Sequence, residues 1–397
     1  MSGAPTCVVI GSGRTAGGFV APLLAAAGWR TVLVGRDSSV VVAVAASGEV
    51  RLRTGGPSGR ERRIANVSAL RIDDPRLTKE IVDADLVATA VGPGALSLVG
   101  RQLAGPLRVR MDAGRPLNIV TFENHRRSPQ LLTAGLLETR PSLAPHIGRT
   151  IGIAGAAVWR TIAARTIGPH GVRYDADRVN ECHVDGAALL DGLPPKDGSL
   201  PRLQLSDAYD DRIVEKLWLF DAGHAAAAFL GWAASCATIA EAMELPEIGR
   251  IVAAVVDEAA FAFAARQRLR PGGETLPPRD GYRILSRYAD PRLADPVTRV
   301  AREPGRKLGP DDRLIGPAAA CLAAGIRPVA LATAAASALR YANRSDAQAR
   351  HLGVERRRLG PEESLAIVSG LPPNDDLSRL ICDRYYCASV AASDLGA

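Results

Sequence analysis

The chain has 397 residues, 47% hydrophobic and 23% charged, the balance of an ordinary water-soluble folded protein with two or three domains at roughly 100–200 residues each. Its formal net charge is +7, but the basic residues are scattered and no aromatic ladder accompanies them. That pattern argues against a nucleic-acid partner and for a surface that attracts small phosphorylated molecules.

The first apolar run, residues 6–10, ends in glycine and reads as a strand. A helix is expected over 16–27, closed by Gly28, and a second strand over 31–34; together they begin a βαβ unit. Further strands are expected at 86–91, 118–122, 151–158 and around 181–184. Strands alternating with helices imply a largely parallel sheet covered on both faces. Residues 193–198 have the composition of a linker. Beyond them lie alanine-rich helical patterns at 211–230, 232–243, 247–267, 317–324 and 329–341, with no strand alternation. The expected fold is therefore α/β: a Rossmann domain over 1–200, then an all-α domain over 201–397.

The six cysteines are dispersed, with no C-x-x-C pair and no zinc spacing. They read as free thiols in a reducing cytoplasm. The N-terminus runs into a strand without a leader pattern. The uncharged stretch 225–240 is short of the roughly 20 residues a membrane span needs; it reads as a buried helix, so no membrane partner is expected.

Gly11-Ser12-Gly13-Arg14-Thr15-Ala16 sits between the first strand and the first helix. Gly11 permits a tight turn, Gly13 lets backbone approach a pyrophosphate, and Ala16 allows close helix–strand packing. The helix N-terminus then offers N–H groups and a positive dipole end. NAD enzymes usually carry an acid at the end of the second strand. Here Gly35 removes it, and Arg36 can hold a 2′-phosphate with two parallel bonds. NADP(H) is the expected cofactor and NAD(H) is possible, with Asp37 as the alternative ribose partner.

Five short segments carry a family resemblance: Ala90-Val91-Gly92-Pro93, Phe122-Glu123-Asn124, Lys216 to His224, Arg299 to Leu308, and Asp312 to Ala318. In that order, spanning residues 6 to about 325, they resemble the long-chain polyol dehydrogenases, the mannitol dehydrogenase family. The resemblance implies a helical C-terminal domain, a metal-free active site between the domains, a monomer, and reversible oxidation of a polyol or polyol phosphate to a ketose. It implies Lys216 as acid/base, Asn124 as holder of the substrate oxygen, and His224 as the residue that orients substrate. Val91, Gly92 and Pro93 join the cofactor site. Arg302, Arg306 and Lys307 form an anion clamp, since relatives acting on free polyols generally lack the two arginines.

The chemistry requires a lysine whose pKa falls from about 10.4 towards 7–8, which burial supplies. On one α-helix, Lys216, Asp221 and His224 fall within an arc of about 140°. Asp221 departs from the family, which has asparagine there; an ionised aspartate accepts hydrogen bonds and donates none. A second departure is Val158-Trp159-Arg160, where an aspartate usually precedes the arginine. His125 and Arg313 are expected to brace the fold. Two alternatives stand beside a polyol-phosphate dehydrogenase: a dehydrogenase of a free polyol, sugar acid or specialised sugar, and a catalytically weakened protein that binds nucleotide and sugar.

Overall fold

In strand β1, Thr6–Ile10, the residues after the threonine are apolar and buried on both faces, as a central parallel strand requires. In the computed structural model, which describes residues 3–36, 38–269, 276 and 279–393, the chain divides into two units between Ile213 and Val214.

In the first unit β1 is followed by a π-helical segment, Ala16–Val20, then α1 (Ala21–Ala25), β2 (Arg30–Gly35) and α2 (Ser38–Ser47). Strands β3 (Val50–Thr54), β4 (Arg60–Ile64) and β5 (Val67–Arg71) come next, with α3 (Leu77–Asp83), β6 (Leu86–Thr89), α4 (Leu96–Asp112), β7 (Leu117–Thr121) and α5 (Ser128–Thr139) after them. Strands β8 (Ile151–Val158), β9 (Ile162–Gly168), β10 (Gly171–Ala176), β11 (Cys182–Asp185) and β12 (Gln204–Ser206) complete it. The main sheet has the order β12-β11-β8-β7-β6-β1-β2-β5, parallel except where β8 meets β11. One face is filled by Leu77, Ile81, Leu103, Leu107 and Leu136, the other by Phe19, Leu24, Trp29, Val44 and Tyr174.

From β1 the chain passes to β2 on one side, while β6 lies on the other. The crevice at the end of β1 is thus the topological switch point, where dinucleotides bind in such sheets.

The second unit follows α6 (Tyr209–Glu215) and a π-helical segment, Lys216–Asp221. Its helices are α7 (Ala222–Ala233), α8 (Ile239–Glu244), α9 (Pro246–Arg268), α10 (Gly281–Tyr288), α11 (Val297–Val300), α12 (Pro304–Lys307), α13 (Ile315–Ala323), α14 (Val329–Arg340), α15 (Ala347–Ser369) and α16 (Asp376–Ser393). Ala222 and Ala225 to Ala228 of α7 are buried, because small side chains let α9 and α14 close on them. Glu258 of α9 accepts from the N–H groups of Ala330 and Leu331 at 2.9 and 2.8 Å, satisfying donors that open α14 without an internal partner.

Several expectations need correction. The helix expected over 16–27 begins as a π turn. A four-stranded sheet, β4-β3-β10-β9, was not expected; β4 is exposed up to Ile64 and shows no apolar alternation. The supposed linker at 193–198 is packed instead, because the buried Asn118 of β7 donates to the carbonyls of Leu190 and Pro194. The stretch after residue 200 still contains a strand: β12 pairs with β11, so residues 201–213 belong to the first unit rather than to a helical domain beginning at 201. The single helix expected over 232–243 is broken by Ser235 at φ 60°, and α8 restarts behind Thr238, whose side chain accepts from the Glu241 N–H. Among the described residues no helix is long and apolar enough to cross a membrane.

Candidate active site

Gly11 closes β1 at φ 135°, a conformation open to glycine. A Cβ there would lie 2.4 Å from the Ala90 carbonyl oxygen. At Gly13 the nearest atom to such a Cβ is 3.9 Å away, so its face is open, as a backbone that must approach phosphate requires. Arg14 and Thr15 are half-buried around it and Ala16 is buried. The turn is braced from the second sheet: the Tyr174 hydroxyl and Arg165 Nη1 each donate to the Ser12 carbonyl at 3.4 Å.

At Gly35 a Cβ would meet Ser12 Oγ at 2.2 Å. No acidic side chain fits at this position while Ser12 stays in place. Arg36 follows and is exposed. Asp37 lies outside the described residues.

Val91, Gly92 and Pro93 are half-buried beyond β6. Their anchor is Glu123, which the sequence reading gave no role. It accepts from Thr89 Oγ1 at 2.8 Å and from the Val91 N–H at 3.0 Å. Burial pushes its carboxyl up to about 7 despite these donors. Asn124, half-buried, comes next. His125 accepts from the Arg127 N–H through Nδ1 at 3.1 Å, a loop brace as expected. Arg160, in the segment that departs from the family, donates to the carbonyls of Val179 and Gly18 at 2.6 and 3.3 Å and so ties the segment Ala16–Val20 to the loop after β10.

In the second unit Lys216 opens the π segment Lys216–Asp221. A π turn closes its hydrogen bonds from i to i+5, which stacks residue 221 on residue 216. Lys216 Nζ therefore donates directly to Asp221 Oδ2 at 2.9 Å, with both side chains buried. In an α-helix the pair would stand about 140° apart; the turn type corrects that expectation. The same Oδ2 lies 3.4 Å from Arg313 Nη1. Burial drives the Lys216 amine below the ordinary lysine range; Asp221 opposes the fall, and Arg313 and Arg287 add to it.

His224 lies on α7, with Nε2 3.0 Å from Asp295 Oδ2. Its ring stacks on Tyr288, with centroids 5.3 Å apart and planes at 8°. Arg299 grips both oxygens of Asp295 through Nε and Nη2. Burial lowers the His224 pKa while Asp295 opposes it. Burial alone would raise the Asp295 carboxyl, but Arg299 and His224 hold it far below the usual range.

The three residues of the expected clamp do not converge. Arg302 is exposed. Arg306 donates through Nε to Glu303 at 2.9 Å and through Nη1 to Asp312 at 3.4 Å. Lys307 is 4% exposed with its amine on the Arg302 carbonyl; burial and the neighbouring Arg306 and Arg313 push its pKa well down. Lys307 is thus a brace, not a clamp residue. Arg313 bonds Asp312, so an ion chain runs Lys216, Asp221, Arg313, Asp312, Arg306, Glu303. Among the described residues no group of three His, Cys, Asp or Glu is placed to hold a metal ion.

A parallel sheet with an open glycine turn at its switch point is the architecture that holds a dinucleotide. A family model for the mannitol dehydrogenase Rossmann domain matches residues 5–184, and one for the mannitol dehydrogenase C-terminal domain matches 208–368. The chain belongs to the mannitol dehydrogenase family and is a polyol dehydrogenase. It is 31% identical over 378 residues to the mannitol-1-phosphate 5-dehydrogenase of Bacillus pumilus, covering 94% of this chain and 97% of the relative. The fold matches a Pseudomonas fluorescens mannitol 2-dehydrogenase solved as a ternary complex with NAD and D-mannitol. That match has TM-score 0.78 and 15% identity, over 96% of this chain and 91% of that one. A D-sorbitol dehydrogenase in substrate-free form gives TM-score 0.69 and 19% identity over 96% and 92%.

Proposed function

We propose that this chain is a cytoplasmic, monomeric, metal-free oxidoreductase that interconverts a polyol phosphate and a ketose phosphate with NADP(H) preferred over NAD(H). The observation that carries the reading is the buried amine of Lys216 beside Asp221, with His224 three residues further along the same helical run. The likeness to a mannitol-1-phosphate 5-dehydrogenase over nearly the whole chain supports the phosphorylated substrate.

When bound, the nicotinamide donates or accepts the hydride. In reduction the Lys216 ammonium gives its proton to the carbonyl oxygen and becomes an amine; in oxidation the amine takes the hydroxyl proton. Asn124 steadies the oxygen and His224 orients the substrate. Gly11, Gly13, Arg14, Thr15 and Ala16 hold the pyrophosphate, with Val91, Gly92 and Pro93 opposite. The groove lined by Ile10, Leu77, Val99 and Leu103, with Asp73 and Asp74 also on its wall, takes the adenine. Arg36 takes the 2′-phosphate, an assignment supported by the Ser12 side chain that keeps an acid out of position 35.

Arg302 and Arg306 are the remaining phosphate clamp. Arg306 reaches a ligand by exchanging Glu303 or Asp312 for it. Those two carboxylates favour a second reading, a free polyol. Steady-state comparison of phosphorylated and free ketoses separates the two: kcat/KM at least about 100-fold higher for the phosphate is expected from two charge-assisted contacts, and equal values contradict the clamp. Arg36→Ala is expected to raise KM for NADPH about tenfold or more while leaving NADH within about twofold, on the loss of one bidentate phosphate contact. A parallel change for both cofactors removes the NADP assignment.

A further inference from the structure

Asp221 leaves the reaction short of a donor. The negative charge that develops on a reacting oxygen is stabilised by positioned N–H groups, and an ionised carboxylate has none. Beside it stands Arg313, in the turn between α12 and α13. Its guanidinium is buried. Nε donates to Asp312 Oδ1 at 2.6 Å, and Nη1 lies 3.4 Å from Asp221 Oδ2, the oxygen that also receives Lys216 Nζ at 2.9 Å. The third nitrogen of the fork, Nη2, is buried with no hydrogen-bond partner among the described residues. Buried donors are ordinarily satisfied. An arginine gripped on two sides with its last N–H group unspent is suited to a ligand atom.

We propose that Arg313 is a catalytic residue whose Nη2 donates to the same substrate oxygen that exchanges its proton with Lys216. This rests on the polyol dehydrogenase reading with Lys216 as acid/base. Asp221 and Asp312 become the anchors of the fork. A planar guanidinium presents several donors in fixed directions, which a lysine ammonium does not. The amine and the guanidinium share one carboxylate oxygen, so a substrate oxygen at the amine is also within reach of the fork. The pairing explains how this chain works with aspartate at position 221: the carboxylate gives up the donor role and holds a stronger, cationic donor in its place.

The test is ketose reduction at pH 7 with saturating NADPH, run on the full chain. Arg313→Met is expected to lower kcat by about 10²-fold or more, the usual cost of losing one such donor. KM for the ketose and NADPH affinity by fluorescence titration should stay within about threefold, as befits an interaction made in the transition state. Arg313→Lys keeps the charge and loses the fork, and should lose about tenfold or more in kcat. The double variant Asp221→Asn/Arg313→Met restores an amide donor and should recover about tenfold or more over Arg313→Met. The proposal is overturned by Arg313→Met with kcat within about threefold of wild type, or by the same result for Arg313→Lys where the methionine variant does not fold. A loss confined to KM, or a folded double variant no faster than Arg313→Met, also overturns it. A wild-type chain inert towards every ketose and ketose phosphate removes the underlying reading and this proposal with it.

Discussion

Methionine in place of Lys216 is expected to cut turnover in both directions by about 10²–10⁴-fold, the contribution of a positioned acid/base. Methionine matches the length of the buried stem and removes only the charge and the donors. Asp221 would not be stranded, because Arg313 still faces it. The melting temperature and NADPH affinity should therefore stay near wild type while kcat collapses. Assays at saturating cofactor, alongside calorimetry, separate this from a folding defect. Turnover retained within about threefold would mean that another group moves the proton.

The second large effect is one of stability. Asp295→Asn keeps the shape and removes the buried charge that neutralises the half-buried Arg299. Breaking a fully buried pair costs about 3–5 kcal/mol; with Arg299 partly in water a loss of about 2–3 kcal/mol is expected, which urea unfolding at pH 7 would register directly. The sign with pH follows from the direction of the shift. The Asp295 carboxyl lies below its usual range when folded, so its contribution is present above the ordinary carboxylate pKa of about 3.9 and is lost as the pH falls towards the folded value. The gap between wild type and Asp295→Asn should be full at neutral pH and narrow only in acid. His224 also exchanges a charged acceptor at its Nε2 for a neutral amide, so activity should fall with stability. A variant as stable as wild type at pH 7 would show that Arg299 is neutralised some other way.

Much of this was legible in the sequence where the physics is local. Gly11, Gly13 and Ala16 could be read because a strand precedes them and a helix follows. The apolar runs of β1, β7 and β8 stood out because strands buried on both faces carry few polar residues. Thr238 and Glu241 also held a readable signal: a threonine followed three residues later by glutamate marks a helix start, and it would have divided the helix expected over 232–243. What was not legible depends on the type of turn or on distant partners. Nothing in Lys216 to Asp221 distinguishes a π turn from an α turn, yet that difference converts a shared arc into a hydrogen bond. Asp295 is 71 residues from His224, and Arg313 meets Asp221 from a turn far along the chain, so neither pairing is written in any local pattern. Arg306 and Lys307 were read as one clamp because they are adjacent. The fold turns one towards carboxylates and buries the other.

The central claim is that the ionisation governing catalysis belongs to the Lys216 amine. The most direct measurement is the pH dependence of kcat/KM for polyol oxidation by wild type and by Asp221→Asn. The wild-type rate should rise with pH through one ionisation lying below that of free lysine, because burial disfavours the ammonium. Asp221 opposes that shift, so removing its charge should move the inflection to lower pH. An inflection that stays in place when Asp221 is neutralised would assign the proton to a different group.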